Sequence, residues 1–203
     1  AAVDITDPSA PFQAGYDMDS GESQEREIIR LLLLYGNETI LLQKENEDRD
    51  VVEIPVKVAD FIIHDILVDE ITFENPLCQQ VFDEVHSSLD QEKVPDKDFY
   101  FHHPDAAISS FAIDLGMTQH ELSHHWKENN IYIDREHEKL KDSIWTALLI
   151  FKAKKIDRML TANVTKLKEK SPVEEVTRLL EEQQRLKQSS TTINQELGRI
   201  IIK

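Results

Sequence analysis

The chain has 203 residues, a length that suits one sizeable domain or one domain with an appendage. Its 23 basic and 39 acidic residues give a formal net charge of −16, which disfavours binding to nucleic-acid phosphates and to anionic membrane surfaces. Hydrophobic residues make up 40% of the chain, which is enough for a core, so wholesale disorder is excluded.

The single cysteine indicates the redox state of the cellular compartment, and the scarcity of turn-forming residues indicates the fold class. Cys78 cannot form an internal disulfide or a cysteine-rich zinc site, which predicts core packing and a reducing compartment, the cytoplasm. The most apolar run, residues 28–35, contains Arg30 and is too short to cross a bilayer. The 5 glycines and 7 prolines favour long helices over a many-stranded sheet. The chain begins at Ala1 rather than at methionine, which suggests a piece of a longer protein.

The first third of the chain predicts a linker, a helix and an ambiguous segment. Residues 1–22 are polar and turn-forming, without sustained periodicity, and predict a flexible linker. A helix is predicted from an N-cap at Ser23 to a stop at Gly36. This helix is apolar over most of its circumference, so we expect it to lie at the centre of a core. Two apolar runs within 39–56 flank a charged segment and predict either a small β-hairpin or a loop.

Four shorter helices are predicted next. The first has an apolar face with a spacing of four residues, formed by Val58, Ile62 and Ile66. The second begins at Asn75 and Pro76, an N-cap followed by proline at the first helical position. The third opens at Pro104 and ends at Gly116, and a short helix over 118–129 follows it.

The last third of the chain predicts two long helices. Asp134 caps the first, and Ser171 with Glu174 forms a capping box at the start of the second. Pro172 interrupts the periodic pattern between them. These features predict an antiparallel helical hairpin, with one long kinked helix as the alternative.

The predicted fold class is therefore all-α, with a small β-hairpin as an open addition near 39–56. We expect three parts: a flexible linker over 1–22, a helical bundle over 23–133, and a C-terminal helical hairpin arm over 134–203.

One segment matches a metal-binding motif. His120 and His124, with Glu121 between them, fit H-E-x-x-H, in which two histidines on one helix face hold zinc and the glutamate acts as general base. The longer metzincin pattern fails, because Lys127 and Asn130 stand where glycine and histidine are required. Glu121 also fits a capping box at a helix start. The alternatives are a small zinc hydrolase and a set of polar surface histidines.

Three other groups of residues have both a structural and a functional interpretation. His102 and His103 are adjacent, so their side chains diverge, which favours surface or N-capping roles over metal binding. The basic stretch 152–158 predicts either a solvated helix face or an electrostatic contact with a partner. Trp126 and Trp145 predict either core packing or interface anchors.

The two ends of the helical region resemble one protein family. The closing sequence Asn194-Gln195-Glu196-Leu197-Gly198-Arg199, in a terminal helix after a capped break, resembles the tail of bacterial replicative primases of the DnaG type. The opening helix, residues 24–34, resembles the first helix of their C-terminal, helicase-binding domain. The order of elements is similar too: a bundle, a long helix, a capped turn and a terminal helix. The resemblance covers residues 23–203.

The resemblance implies a non-catalytic module that docks on the N-terminal domains of the hexameric replicative helicase. Such a module couples RNA primer synthesis to the replication fork in the bacterial cytoplasm. The fragment itself is then not an enzyme, holds no metal or cofactor, and contacts neither nucleic acid nor membrane directly. The parent is a primer-synthesising nucleotidyltransferase, whose zinc and magnesium or manganese sit in domains that this chain lacks. The implied helicase-binding residues are Gln195, Glu196, Leu197, Arg199 and Ile200.

The sequence departs from that family at its end and at the segment 39–56. Ile200–Ile202 makes the tail more apolar than expected, and an exposed apolar tail invites weak self-association or domain swapping when no partner is bound. Two functions of other classes stay open. One is a zinc hydrolase built on His120, Glu121 and His124, and the other is a generic α-helical adaptor or dimerisation domain.

Overall fold

The chain folds into seven helices and a two-stranded sheet in the parts that the structure describes. A computed structural model describes residues 21–45, 50–89, 94–127, 140–168 and 172–201. The helices are α1 Glu22–Tyr35, α2 Val58–Val68, α3 Pro76–Leu89, α4 Lys97–Phe101, α5 Ala106–Lys127, α6 Leu140–Lys168 and α7 Val173–Ile201. The strands are β1 Thr39–Glu45 and β2 Val51–Lys57. The predicted all-α class with a small β-hairpin is confirmed.

The segment near 39–56 is a hairpin and not a loop. β1 pairs antiparallel with β2, in a register that runs from Thr39 opposite Lys57 to Glu45 opposite Val51. Alternate side chains of a strand point to opposite faces. Ile40 is therefore buried against the helices, whereas Leu41, the next residue, is 50% exposed.

The core is centred on α1, as its apolar circumference predicted. Ile28 and Leu32 are at most 1% exposed, and α1 contacts α2, α3, α5 and α6. The first half of α6 belongs to the same core, through the buried residues Leu140, Ile144, Leu148 and Phe151. The core therefore crosses the predicted boundary between 133 and 134, although the division into domains stays a prediction.

The start of α1 differs from the prediction. Gly21, not Ser23, occupies the N-cap position, and its φ of 76° is a left-handed conformation that glycine adopts without strain. A Cβ at this position would lie 3.4 Å from Cγ of Lys154 on α6. That distance is an ordinary van der Waals contact, so the left-handed backbone, and not crowding, is what favours glycine at this cap. The predicted linker residues 1–20 lie outside the described residues.

α3 begins at Asn75 and Pro76 as predicted, whereas the short helix α4 was not predicted from the sequence. The side-chain oxygen of Asn75 accepts a hydrogen bond from the backbone N–H of Leu77 at 2.9 Å, and Pro76 is the first helical residue. α4 is a single short turn capped by Asp96, whose carboxylate accepts from the N–H of Phe99. Five residues are too few to produce a periodic apolar pattern.

The predicted stop at Gly116 is wrong. α5 continues through it to Lys127, so the short helix predicted from residue 118 is the second half of α5. Gly116 serves close packing instead, because a Cβ at this position would lie 2.7 Å from Cζ of Phe101. The absence of a side chain lets the ring of α4 lie directly on the α5 backbone.

A buried carboxylate connects three elements. Glu25 of α1 is 1% exposed and accepts hydrogen bonds from the backbone N–H groups of Glu74 and Asn75, each at 2.8 Å. Lys155 of α6 donates to it at 2.7 Å. Glu74 also pairs with Lys155 and Arg158. Burial raises the pKa of Glu74, but these two cations outweigh burial and hold that pKa below its usual value.

Gly116→Ala is expected to destabilise the fold, and Gly198→Ala to stabilise it. Alanine favours a helix by about 1 kcal/mol over glycine, and no atom lies within 4 Å of a Cβ at residue 198. At residue 116 the overlap with Phe101 exceeds this gain, for a net loss of about 1–2 kcal/mol. Urea unfolding measures both, and equal gains for the two variants would contradict the packing role of Gly116.

Glu25→Gln is expected to lower the free energy of unfolding by about 2–3 kcal/mol, because a backbone N–H that faces the new amide nitrogen loses its acceptor and Lys155 keeps only Glu74 as a carboxylate partner. The control is Glu27→Gln on the same helix, which removes a half-exposed pair with Arg30 and costs less than about 1 kcal/mol. Chemical denaturation of both variants is the measurement. A similar cost for the two would show that the Glu25 network does not anchor α6.

Candidate functional site: the C-terminal helical hairpin

α6 and α7 form a helical hairpin, as predicted, and not one kinked helix. Each helix has 29 residues, and α7 packs on α6. At 1.5 Å per residue each helix is about 43 Å long. α7 begins at Val173, directly after Pro172. The predicted caps Asp134 and Ser171 lie outside the described residues.

The face of α7 that packs on α6 has a heptad pattern. Its buried and half-buried positions alternate in steps of three and four residues: Val176, Leu179, Gln183, Leu186, Ser190, Ile193 and Leu197. Such spacing is that of a coiled-coil seam. Leu179, at 2% exposure, is the buried leucine of this face, whereas its neighbour Leu180 is 52% exposed.

α6 has two buried faces with different partners. Leu148 and Phe151 belong to the core of the bundle, whereas Leu149 is buried outside that core. Starting from Leu149, a second heptad stripe faces α7, formed by Leu149, Ala153, Ile156, Leu160, Asn163 and Leu167. The proximal half of the hairpin therefore flanks the bundle. Of the ion pairs in the described ranges, that of Arg158 with Glu74 is the most distal one between α6 and the bundle.

The seam contains a buried polar residue. Asn163 is 4% exposed, and its Nδ2 group has no hydrogen-bond partner among the described residues. A buried amide donor without an acceptor costs free energy, and a single Asn in a coiled-coil seam is a known device that specifies register at that cost.

The distal half of the hairpin exposes apolar side chains. Four of them flank the connection between the helices and are 38–82% exposed: Met159, Val164, Val173 and Leu180. We call this group the distal patch. Each of these side chains is accessible to a partner, although Met159 and Val164, five residues apart, lie on different faces of α6.

The predicted tail residues lie at the other end of α7. Gln195 is exposed, whereas Glu196 and Leu197 are half-buried, and Leu197 lies on the seam facing α6. Arg199 and Ile200 are helical, but their side chains lie outside the described residues. Residues four apart on a helix share a face, so positions 195 and 199 lie on the same face of α7.

The basic stretch 152–158 is neither a solvated face nor a partner contact. Lys152 lies 2.7 Å from Asp65 and 2.7 Å from Asp69, with its side chain 14% exposed. Burial lowers the pKa of Lys152, but the two carboxylates outweigh burial and raise that pKa above its usual value. Lys155 and Arg158 pair with Glu25 and Glu74, as described above. These cations join α6 to the bundle.

The motif at residues 120–124 lies in the second half of α5. Because that helix continues through residue 118, Glu121 does not complete a cap at a helix start. The side chains of His120 and His124 lie outside the described residues, so the zinc site stays a prediction. The residues that the structure does describe contain no group of three or more His, Cys, Asp or Glu side chains placed to hold a metal ion.

Two remaining candidate residues, Trp145 and Cys78, lie at the edge of the core or inside it. Trp145 is 37% exposed, with its ring 5.9 Å from that of Phe61, so it lies at the edge of the core. The Trp126 side chain lies outside the described residues. Cys78 is buried, and burial together with the charge of Glu25 raises the pKa of its thiol to about 12. Among the helices within the described ranges, none has the length and hydropathy required to cross a membrane.

The chain belongs to a family of unknown function. A family model described as Domain of unknown function (DUF8430) matches residues 13–201, which is nearly the whole chain, and it includes the hairpin. Neither the curated proteins nor the solved structures contain a match to the chain.

Asn163→Leu is expected to raise the free energy of unfolding by about 1–2 kcal/mol, because an unpartnered amide leaves the seam and an apolar side chain fills it. The matched control is Gln184→Leu, an exposed position of α7, with a change of less than about 0.5 kcal/mol. Urea denaturation followed by circular dichroism measures both. A loss of stability in Asn163→Leu would show that the amide is satisfied in solution.

Proposed function

We propose that this member of the DUF8430 family is a protein-interaction module, the helicase-binding domain of a bacterial replicative primase. It docks on the N-terminal domains of the hexameric replicative helicase and so couples primer synthesis to the fork. The observation that carries the proposal is the C-terminal hairpin, in which α7 packs one face on α6 and leaves its other faces to solvent. The choice of partner rests on the resemblance of the tail, residues 194–199.

The exposed side chains of the hairpin suit a helical partner. The distal patch offers apolar side chains on two antiparallel helices, which can pack into the groove of another helical bundle. Gln195 and Arg199 add polar groups near the far end of α7. Apolar burial would supply most of the affinity, whereas the polar pair would orient the partner.

The charge distribution supports a protein partner over a nucleic acid. The net charge is −16, and three cations of α6 already pair with carboxylates of this chain. DNA affinity depends on lysine and arginine side chains available to phosphates. A partner protein does not require them.

Gln195→Ala combined with Arg199→Ala is expected to weaken binding to the helicase N-terminal domain about tenfold or more, because an interface loses two polar contacts at one place. Isothermal titration calorimetry with the isolated helicase domain is the measurement. The matched control is Gln188→Ala combined with Arg185→Ala, two exposed positions of the same helix, with affinity unchanged within about twofold.

The possible outcomes test the identity of the partner and the location of its binding site separately. No binding by the intact chain would refute the helicase as partner. Equal affinities of the tail variant, the control variant and the unchanged chain would refute the tail as the site and leave the partner in place. A stable homodimer in sedimentation experiments, with no binding to the helicase domain, would favour the dimerisation domain instead.

A further inference from the structure

A groove of about 580 Å³ runs along one face of α3. Residues of α3 between Pro76 and Ser88 form one wall, and the other wall consists of Pro95, Phe99 and His103. The α3 wall spans 12 residue steps, which is about 18 Å at 1.5 Å per residue. An extended segment of about five or six residues covers this length.

The polar lining of the groove is acidic. Asp83 and Glu84 supply two carboxylates on α3, and no Lys or Arg is among the described residues that line it. The buried Oε2 atom of Glu84 has no donor in hydrogen-bonding geometry within the described ranges. The groove therefore presents negative charge that the surrounding protein leaves uncompensated by a fixed cation.

His103 faces Glu84 without neutralising it. Its Nδ1 accepts a hydrogen bond from the backbone N–H of Asp105 at 3.1 Å, which assigns the proton of the neutral ring to Nε2. Nε2 lies 3.4 Å from Oε2 of Glu84, too far for a strong hydrogen bond. The Glu84 side chain as a whole is 32% exposed and lines the groove, so a cation in the groove would lie near its carboxylate.

The apolar lining of the groove includes the ring of Phe99, which is exposed and packs against two neighbouring rings. Phe99 is 48% exposed, and it meets the rings of Tyr100 and His103 edge-on, at 5.1 and 5.6 Å. Pro76 and Pro95 lie at the groove as well. An exposed aromatic ring beside carboxylates suits a lysine or arginine side chain, whose charge is attracted by both.

The N-terminal segment of this chain does not have the chemistry to fill the groove. Residues 1–20 contain four aspartates and neither lysine nor arginine. Their charge has the same sign as that of Asp83 and Glu84, so residues 1–20 do not supply an occupant of opposite charge.

We propose that the groove between α3 and α4 binds a short, extended, basic segment of a partner protein. A lysine or arginine of the segment lies against Asp83 and Glu84, and its apolar or proline residues pack on Phe99, Pro76 and Pro95. This site is separate from the hairpin and does not depend on the identity of the hairpin's partner.

A labelled peptide tests the site directly. The probe is a fluorescein-labelled hexapeptide in which two arginines alternate with leucine and proline, and the comparison peptide has glutamate in place of arginine. We expect the arginine peptide to bind at least about tenfold more tightly in fluorescence anisotropy at low ionic strength, and added salt to weaken it. Equal binding of the two peptides, or no binding of either, would overturn the proposal.

Two variants and one matched control locate the binding. Asp83→Asn combined with Glu84→Gln is expected to weaken the arginine peptide about tenfold, and Phe99→Ala about fivefold. Asp60→Asn combined with Glu53→Gln removes the same charge from exposed residues outside the groove lining and changes affinity less than about twofold. Equal effects of the two charge-removing variants would show that the net charge, and not the groove, attracts the peptide.

A measurement on the unchanged protein tests the location of the peptide-binding site even if a variant fails to fold. Amide chemical-shift changes on titration with the arginine peptide are expected to concentrate in α3 and α4. Changes concentrated in any other element, the hairpin included, would overturn the assignment of the groove.

Discussion

The position of the hairpin depends on one buried carboxylate. Glu25 lies at the start of the central helix, and it holds the backbone before α3 on one side and Lys155 of α6 on the other. A carboxylate that is 1% exposed is tolerated only when donors surround it, and these three donors come from two segments about 80 residues apart in the chain. The network therefore forms only when α1, α3 and α6 take their native arrangement, and it fixes where α6 leaves the bundle.

α6 has two buried faces, one against the bundle and one against α7. The position of α6 on the bundle therefore determines the position of α7. Neighbouring residues Leu148 and Leu149 are both buried, the first in the core of the bundle and the second outside it, on the stripe that faces α7. Interiors are packed as tightly as crystals, so a helix clamped on two sides has little freedom to rotate. The orientation of α7, and with it the direction in which Gln195 faces, follows from the packing of the bundle.

Local signals in the sequence were sufficient for most elements, and long-range contacts explain the failures. The Asn75–Pro76 start of α3 and the apolar circumference of α1 are local properties, and both predictions were confirmed. Gly116 was misjudged because its role depends on the side chain of Phe101 in another helix. The basic stretch of α6 was misjudged for the same reason, since its carboxylate partners lie about 80–130 residues earlier in the chain.

The two ends of the hairpin have different physical characters. In an antiparallel pair the tail of α7 lies beside the first half of α6, which is the half that packs in the core of the bundle. The connection between the two helices lies farthest from that core. The distal patch therefore lies far from the core, and its apolar side chains are exposed. Val173, at 82% exposure, has the most to gain from burial by a partner. The supported end can hold polar groups in fixed directions, because Leu197 packs in the seam next to Gln195. If the hairpin docks as proposed, apolar area at its distal end would supply affinity, and polar groups near its other end would supply specificity.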